Sequence, residues 1–280
     1  MDSSEKAEQS IVKKYRRQIW LPFLSAVKKY RLIGRDDRIA ACISGGKDSM
    51  MMAKCLEHLQ KYSDFPFQVK YLVMDPGYRP ESRRKIEENA EALRLPIHIF
   101  ETRIFEIAGD SNGRPCYLCA KMRRGCLYKH AQELGCNKIA LGHHLDDVIE
   151  TTLLSMFYGA EIRTMLPKLH SAHYPGMELI RPLYLVKESS IIAWAEYNEL
   201  SFIRCACHFT ENCSTGTGDS KRQKMKALIQ QLRKENPNID KNIFHSMENV
   251  NMETILGWRC GEEKHNFLES YGKDISTISP

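Results

Sequence analysis

Short apolar runs alternate with longer amphipathic ones along this sequence from residue 38 onward, and that alternation restricts the fold more than any single motif does. RIAACIS (38–44) is a buried strand by pattern, MMMAKCLEHLQKY (50–62) a helix, and FQVKYLVMD (67–75), rich in aromatic and β-branched residues, a second strand closed by Asp-Pro-Gly. PESRRKIEENAEALRL (80–95) carries its apolar residues on one helical face, and PIHIFET (96–102) is a third strand. NKIALGH (137–143) predicts a fourth, followed by the helix LDDVIETTLLSMFYG (145–159). Strands separated by helices must run parallel, so the expected class is α/β, an open parallel sheet with helices on both faces. LIRPLYLV (179–186) reads as a short strand or an extended arm, and ESSIIAWAEYNEL (188–200) as a further helix.

The pattern also divides the chain. Residues 1–35 form a basic helical segment, 36–200 the α/β domain, and 201–280 a small helical, cysteine-containing extension ending in a frayed tail, YGKDISTISP. No run of eighteen apolar residues exists to span a bilayer, and the N-terminus lacks the apolar core of a secretory signal, so a cytoplasmic, non-membrane protein is expected. Ten cysteines in such a chain suit metal ligands or redox thiols better than a disulfide framework. The net charge of +6 is concentrated in VKKYRR, AKMRRG and SKRQKMK, clusters that suit a polyanionic partner or, more simply, solvated helix faces.

In an open α/β sheet ligands lie beyond the carboxyl ends of the strands. The first such end is ISGGKDS, residues 43–49. Ser44, Gly45 and Gly46 lead from strand into helix, where unpaired backbone N–H groups and the helix dipole attract an anion. Adjacent glycines and an Asp after the Lys exclude both the Walker A loop and the dinucleotide G-x-G-x-x-G pattern. Lys47 can neutralise a phosphate, and Asp48 can hold a Mg²⁺ that screens it. The second strand end, LGHHLDD, sets His143, His144, Asp146 and Asp147 at a strand-to-helix junction. Paired carboxylates beside a phosphate site suit Mg²⁺, although capping of the following helix would use the same residues. The adjacent histidines lack the spacing of an H-E-x-x-H zinc site.

Cys116 and Cys119 form a C-x-x-C, a spacing that serves a metal, a cluster or a redox disulfide. The preceding stretch DSNGRP argues against a thioredoxin-like arrangement, in which the pair opens a helix directly after a strand. The later cysteines, Cys205, Cys207 and Cys213, do not make a second C-x-x-C. Four ligands would suit zinc, and three would suit an iron-sulfur cluster with one open iron; the spacing leaves both open. Cys42, Cys55, Cys126 and Cys136 lie in apolar or helical contexts and read as small buried thiols.

S-G-G-K-D-S resembles the signature of the PP-loop ATP pyrophosphatases, which have an adenine nucleotide alpha hydrolase-like fold. PCYLCAKMRRG, LGHHLDD, ET, MFYG, P-K-L and IRPL follow in the order of the tRNA 2-thiocytidine synthetase family, and the likeness covers residues 15 to 250. That resemblance implies ATP-dependent thiolation of tRNA, with adenylation of a base carbonyl, C2 of cytidine 32, and exchange of its oxygen for sulfur. It implies ATP bound by Ser44, Gly45, Gly46, Lys47, Asp48, Ser49 and Gly142, with the backbone of Met74 reading adenine. Mg²⁺ would be held by Asp48 and by Asp147 or its neighbour Asp146. Arg123 and Arg124, after the C-x-x-C, would contact the tRNA backbone or the activated base, or else belong to a plain surface helix. A 4Fe-4S cluster would be bound by Cys116, Cys119 and Cys205. The chain has I-R-C-A-C where the family shows C-x-x-C preceded by Ile-Pro, which keeps Cys207 as an alternative third ligand. A sulfur donor such as a cysteine desulfurase is implied as a partner, and the family admits a homodimer. Two rivals follow from the same residues: a PP-loop sulfurtransferase acting on another tRNA base or a small molecule, and a zinc-stabilised RNA-binding protein.

Overall fold

A computed structural model describes residues 2–109, 115–203, 221–269 and 271. Its centre is a six-stranded sheet ordered β3-β2-β1-β4-β6-β5. The strands are β1 (Arg38–Ile43), β2 (Gln68–Asp75), β3 (Ile97–Glu101), β4 (Lys138–Ala140), β5 (Lys168–His170) and β6 (Glu178–Ile180). All neighbouring strands pair in parallel except the edge strand β5, which runs antiparallel to β6.

Strand alternation sends β1 and β2 side chains into two cores. Ile39, Ala41, Ile43, Tyr71 and Val73 face one layer, and Ala40, Cys42, Leu72 and Met74 the other. On the first face lie α1 (Ser3–Val12), α2 (Leu21–Lys29), α3 (Lys47–Tyr62), α4 (Pro80–Ala92), α7 (Leu145–Gly159) and α8 (Glu188–Tyr197), contributing among others Ala7, Phe23, Met51, Ile86, Val148 and Trp194. On the second lie α5 (Ile104–Gly109) and α6 (Pro115–Glu133), through Ile104, Phe105, Tyr128 and Ala131. The expected parallel sheet covered on both faces is therefore present.

The N-terminal helices, joined by a π-helical turn at Arg16–Trp20, are docked by polar contacts as well as by packing. The Trp194 indole donates to Ala7 O at 3.1 Å, and the buried Lys54 ammonium donates to Ser4 Oγ at 3.0 Å. Beyond the sheet, α9 (Lys221–Glu235) packs Met225 and Ile229, four residues apart on one face, against Ile149 and Leu153 of α7. α10 (Ile239–Ser246) follows. Among the described residues no helix is long and apolar enough to cross a membrane.

Several details depart from the sequence pattern. LIRPLYLV is a strand only at its start: Pro182 cannot donate to a ladder, and the chain turns, with Tyr184 N bonded to Arg181 O and Val186 N to Leu183 O. The C-terminal extension is not wholly helical, because Gly257–Cys260 (β7) and Glu263–Asn266 (β8) form an antiparallel hairpin turned at Gly261, φ +62°. Within that extension, residues 245–256 (HSMENVNMETIL) are mostly irregular, with one 3₁₀ turn at Met252–Thr254. Cys116 and Cys119, by contrast, agree with the sequence pattern: they lie near the start of α6, which follows α5 and residues 110–114 rather than a strand. Cys205, Cys207 and Cys213, and the tail from 272, lie outside the described residues.

Candidate active site

β1 pairs with β2 on one side and β4 on the other, so the crossovers diverge between β1 and β4. This is the topological switch point of the sheet, and both Gly-containing strand ends open there. A cleft of about 490 Å³ occupies it, lined by Ser44, Asp48 and Ser49 from the first motif, Gly142, His143 and Asp147 from the second, Met74 from the end of β2, Arg123 and Arg124 from α6, and Arg222 from α9.

Gly142 brings the two motifs into contact. A Cβ there would fall 3.0 Å from Ser49 N and 3.1 Å from the Asp48 carbonyl carbon, so no larger residue fits without separating them. Gly45 serves a different need: its φ of +81° lies in the left-handed region, and a Cβ would strike Ile86 and Ile203 at 2.5 and 2.7 Å.

The two helix N-termini at the cleft are finished differently. His144 caps α7: its ring accepts from Asp147 N at 3.4 Å, while the Asp147 carboxylate accepts from His144 N at 3.1 Å, a reciprocal box. The N-cap of α3 is Gly46, which brings no side-chain acceptor. The first-turn amides of α3 therefore have no capping side chain, and they are the ones preceded by Ser-Gly-Gly. Ser49 Oγ holds the loop shut, accepting from Ser44 N at 3.1 Å and donating to Gly46 O at 2.9 Å.

The charged groups form one chain across the site. Lys47 Nζ lies 3.2 Å from the Asp48 carboxylate and 3.2 Å from Glu188 Oε1. Burial works against the Lys47 charge, but those two carboxylates outweigh it and raise its pKa. Glu188 is in turn bonded by Lys226 at 2.6 Å; burial opposes its ionisation, yet the two lysines hold its carboxyl down to about 2. Asp48 behaves oppositely: burial raises its pKa despite His144 and Lys47, and its Oδ1 is buried without a hydrogen-bond donor. His143 also carries a buried ring nitrogen, Nδ1, without a partner, and burial foremost pushes its pKa down to about 4, so its imidazole is neutral.

The adjacent aspartates separate. Asp147 lines the cleft with Oδ1 3.2 Å from Arg222 Nη1. Asp146 is not among the cleft-lining residues: its Oδ2 accepts from Glu188 N at 2.7 Å and its Oδ1 from Arg233 Nη2 at 2.5 Å. It joins α7, α8 and α9. Lys47, although beside the cleft, is held by Glu188 rather than pointing freely at an anion. Met74 is almost fully buried at the cleft wall. Glu188 and Arg222 were invisible to motif reading; the one opens a helix with an ordinary acidic residue, and the other sits in a generic basic cluster.

Asp48 Oδ1, buried without a hydrogen bond and 3.2 Å from the Lys47 ammonium, is the kind of oxygen a hard cation takes, with Asp147 across the cleft as a second donor. Among the described residues no three His, Cys, Asp or Glu side chains preform a metal cage. The backbone of Cys116 and Cys119 places the pair one helical turn apart at the N-terminus of α6, the end that favours thiolates, while the same helix carries Arg123 and Arg124 to the cleft.

A PP-loop domain model matches residues 21–208. The tRNA-cytidine(32) 2-sulfurtransferase of Citrifermentans bemidjiense is 35% identical over 234 residues, covering 82% of this chain and 89% of that protein. The protein of the same name from Photobacterium profundum is 37% identical over 268 residues, covering 93% and 84%. Among solved structures, the U34-tRNA thiolase NcsA from Methanococcus maripaludis with its 4Fe-4S cluster is similar at a TM-score of 0.65 and 21% identity, covering 86% of this chain and 80% of that one. At that identity the likeness is one of fold.

Proposed function

Since the chain belongs to the tRNA-cytidine(32) 2-sulfurtransferase family of PP-loop proteins, we propose that its cleft binds ATP and uses it to thiolate C2 of a tRNA cytidine, position 32. The observation that carries the reading is the uncapped α3 N-terminus, with a buried Asp48 oxygen in its first turn that accepts no hydrogen bond, at the β1/β4 switch point.

The amides around Gly45 and Gly46 receive the polyphosphate, and the backbone of Met74, near the end of β2, reads the nucleotide base. Lys47 is a fixed positive charge beside the phosphate loop, held by Glu188 so that its ammonium does not need to be ordered when substrate binds. Asp48 and Asp147 would hold Mg²⁺, which offsets the charge developing on the leaving pyrophosphate. The cytosine O2 attacks the α-phosphate, the bond to the β-phosphate breaks, and the oxygen becomes part of an adenylate. A sulfur nucleophile then adds to C2, and AMP departs with the original oxygen. Arg123 and Arg124 line the cleft, which supports contact with the base or the RNA phosphates. A base in folded RNA must leave its stack to react, which an anticodon-loop nucleotide does at low cost.

Cys116, Cys119 and Cys205, with Cys207 the alternative, would hold a 4Fe-4S cluster, whose chemistry when bound is to carry sulfide at an open iron. A cysteine desulfurase is one class of donor that would supply this sulfur. The test is anaerobic reconstitution, iron and sulfide analysis, and mass spectrometry of tRNA nucleosides from a deletion strain. Loss of 2-thiocytidine, restored by the intact gene and by only one of the Cys205→Ala and Cys207→Ala variants, is expected. An unchanged 2-thiocytidine level overturns the reading.

A further inference from the structure

α9 presents three cations along one side to the acidic residues of α7, α8 and α10: Arg222, Lys226 and Arg233. Two of them are tightly engaged. Lys226 Nζ is 2.6 Å from Glu188 Oε2, and Arg233 bridges Asp146 at 2.5 Å and Asp240 at 2.8 Å. Burial works against ionisation of Asp240, but its contacts with Arg233 and Lys187 lower its pKa. These pairs join Met225 and Ile229, packed on Ile149 and Leu153, in docking the helix.

Arg222 is different in each respect. Its contacts are longer, 3.2 Å from Nη1 to Asp147 Oδ1 and 3.7 Å from Nε to Glu150 Oε2, and half of its side chain remains exposed. It lines the cleft, together with Ser44, Asp48 and Ser49 of the phosphate loop. It also occupies the first turn of α9, beside Lys221, in a turn that contains no acidic residue. Cations at a helix N-terminus oppose the macrodipole, so helix stability does not account for a basic pair there. An anion in the cleft would account for it, and a guanidinium is suited to phosphate because its planar fork can donate two parallel bonds.

We propose that Arg222 is a further substrate ligand of this site, binding the two phosphates that leave as pyrophosphate, and that it exchanges Asp147 for them when Mg²⁺ takes that carboxylate. The proposal rests on the reading of the cleft as an ATP site. In this arrangement Asp147 has two successive partners of the same sign, so it is never left as an uncompensated carboxylate beside Asp48. Arg222 in turn connects substrate binding to α9.

Calorimetry on the full chain with two probes, magnesium pyrophosphate and AMP, tests this without requiring turnover. Arg222→Met is expected to weaken pyrophosphate at least tenfold, the loss of one or more charge-assisted bonds, and to change AMP binding less than twofold. Arg222→Lys is expected to recover only part of the loss, because an ammonium cannot make the paired contact. Equal pyrophosphate affinity in Arg222→Met and the parent overturns the proposal. It is also overturned if Met225→Ala, which loosens α9 without touching the cleft, reproduces the same selective loss. A parent protein that binds ATP, AMP and pyrophosphate no better than background would sink the ATP-site reading and this inference with it.

Discussion

Gly142→Ala tests whether the phosphate loop and the β4 strand end form one site. The added Cβ would sit 3.0 Å from Ser49 N, 3.1 Å from the Asp48 carbonyl carbon and 3.2 Å from its oxygen, all of them backbone atoms of the first turn of α3. Comfortable carbon contacts begin near ~3.5 Å, so that turn must retreat by roughly 0.4 to 0.5 Å. Overpacking of this kind costs about 1–3 kcal/mol. At roughly 2–4 °C per kcal/mol for a protein of this size class, the melting temperature is expected to fall by several degrees. The functional loss follows from displacement of the loop amides: a misplacement of ~1 Å costs on the order of 10²-fold, and scaling its logarithm gives about a five- to tenfold loss in kcat/KM for ATP. Differential scanning calorimetry and steady-state kinetics with varied ATP read the two effects. Gly159→Ala is the control, since a Cβ there meets no atom within 4 Å and its φ is not left-handed. If Gly142→Ala melts and turns over ATP as the parent does, the contact between the two motifs has been misjudged.

Two further outcomes follow from the charges in the cleft. Asp48→Asn removes a carboxylate whose pKa burial raises, so folding stability is expected to hold or rise at neutral pH while the Mg²⁺ dependence of ATP binding disappears; retained Mg²⁺ dependence would refute its role as a ligand. Glu188 has a carboxyl held near 2 in the folded chain against an ordinary 4.5, so its stabilising contribution is complete above 4.5 and is lost as pH falls towards 2. Glu188→Gln is expected to flatten the acid limb of a denaturation profile within that window, and an unaltered limb would mean that Lys47 and Lys226 do not depend on it.

The parts of this fold that were legible in the sequence are those set by local periodicity. β1, β2 and β3 alternate or run apolar over five residues or more, and ISGG and LGHH mark where two strands end. β5 escaped because it is three residues long, partly exposed and at a sheet edge, where only pairing with β6 defines it as a strand. The β7–β8 hairpin turns at Gly261 within RCGEEK, a stretch without alternating apolar residues to announce two strands. The different fates of Asp146 and Asp147 could not be read from two adjacent letters. Successive residues on a helix point about 100° apart, and only the positions of α8 and α9 decide which one faces the cleft. Glu188 and Arg222 depend in the same way on packing between elements far apart in the chain.

Ile203 and Arg222 flank the segment that carries the late cysteines, and both stand at the phosphate loop: the Ile203 side chain covers Gly45, and Arg222 meets Asp147. The described chain therefore leaves and re-enters at one and the same cleft, on either side of residues 204–220.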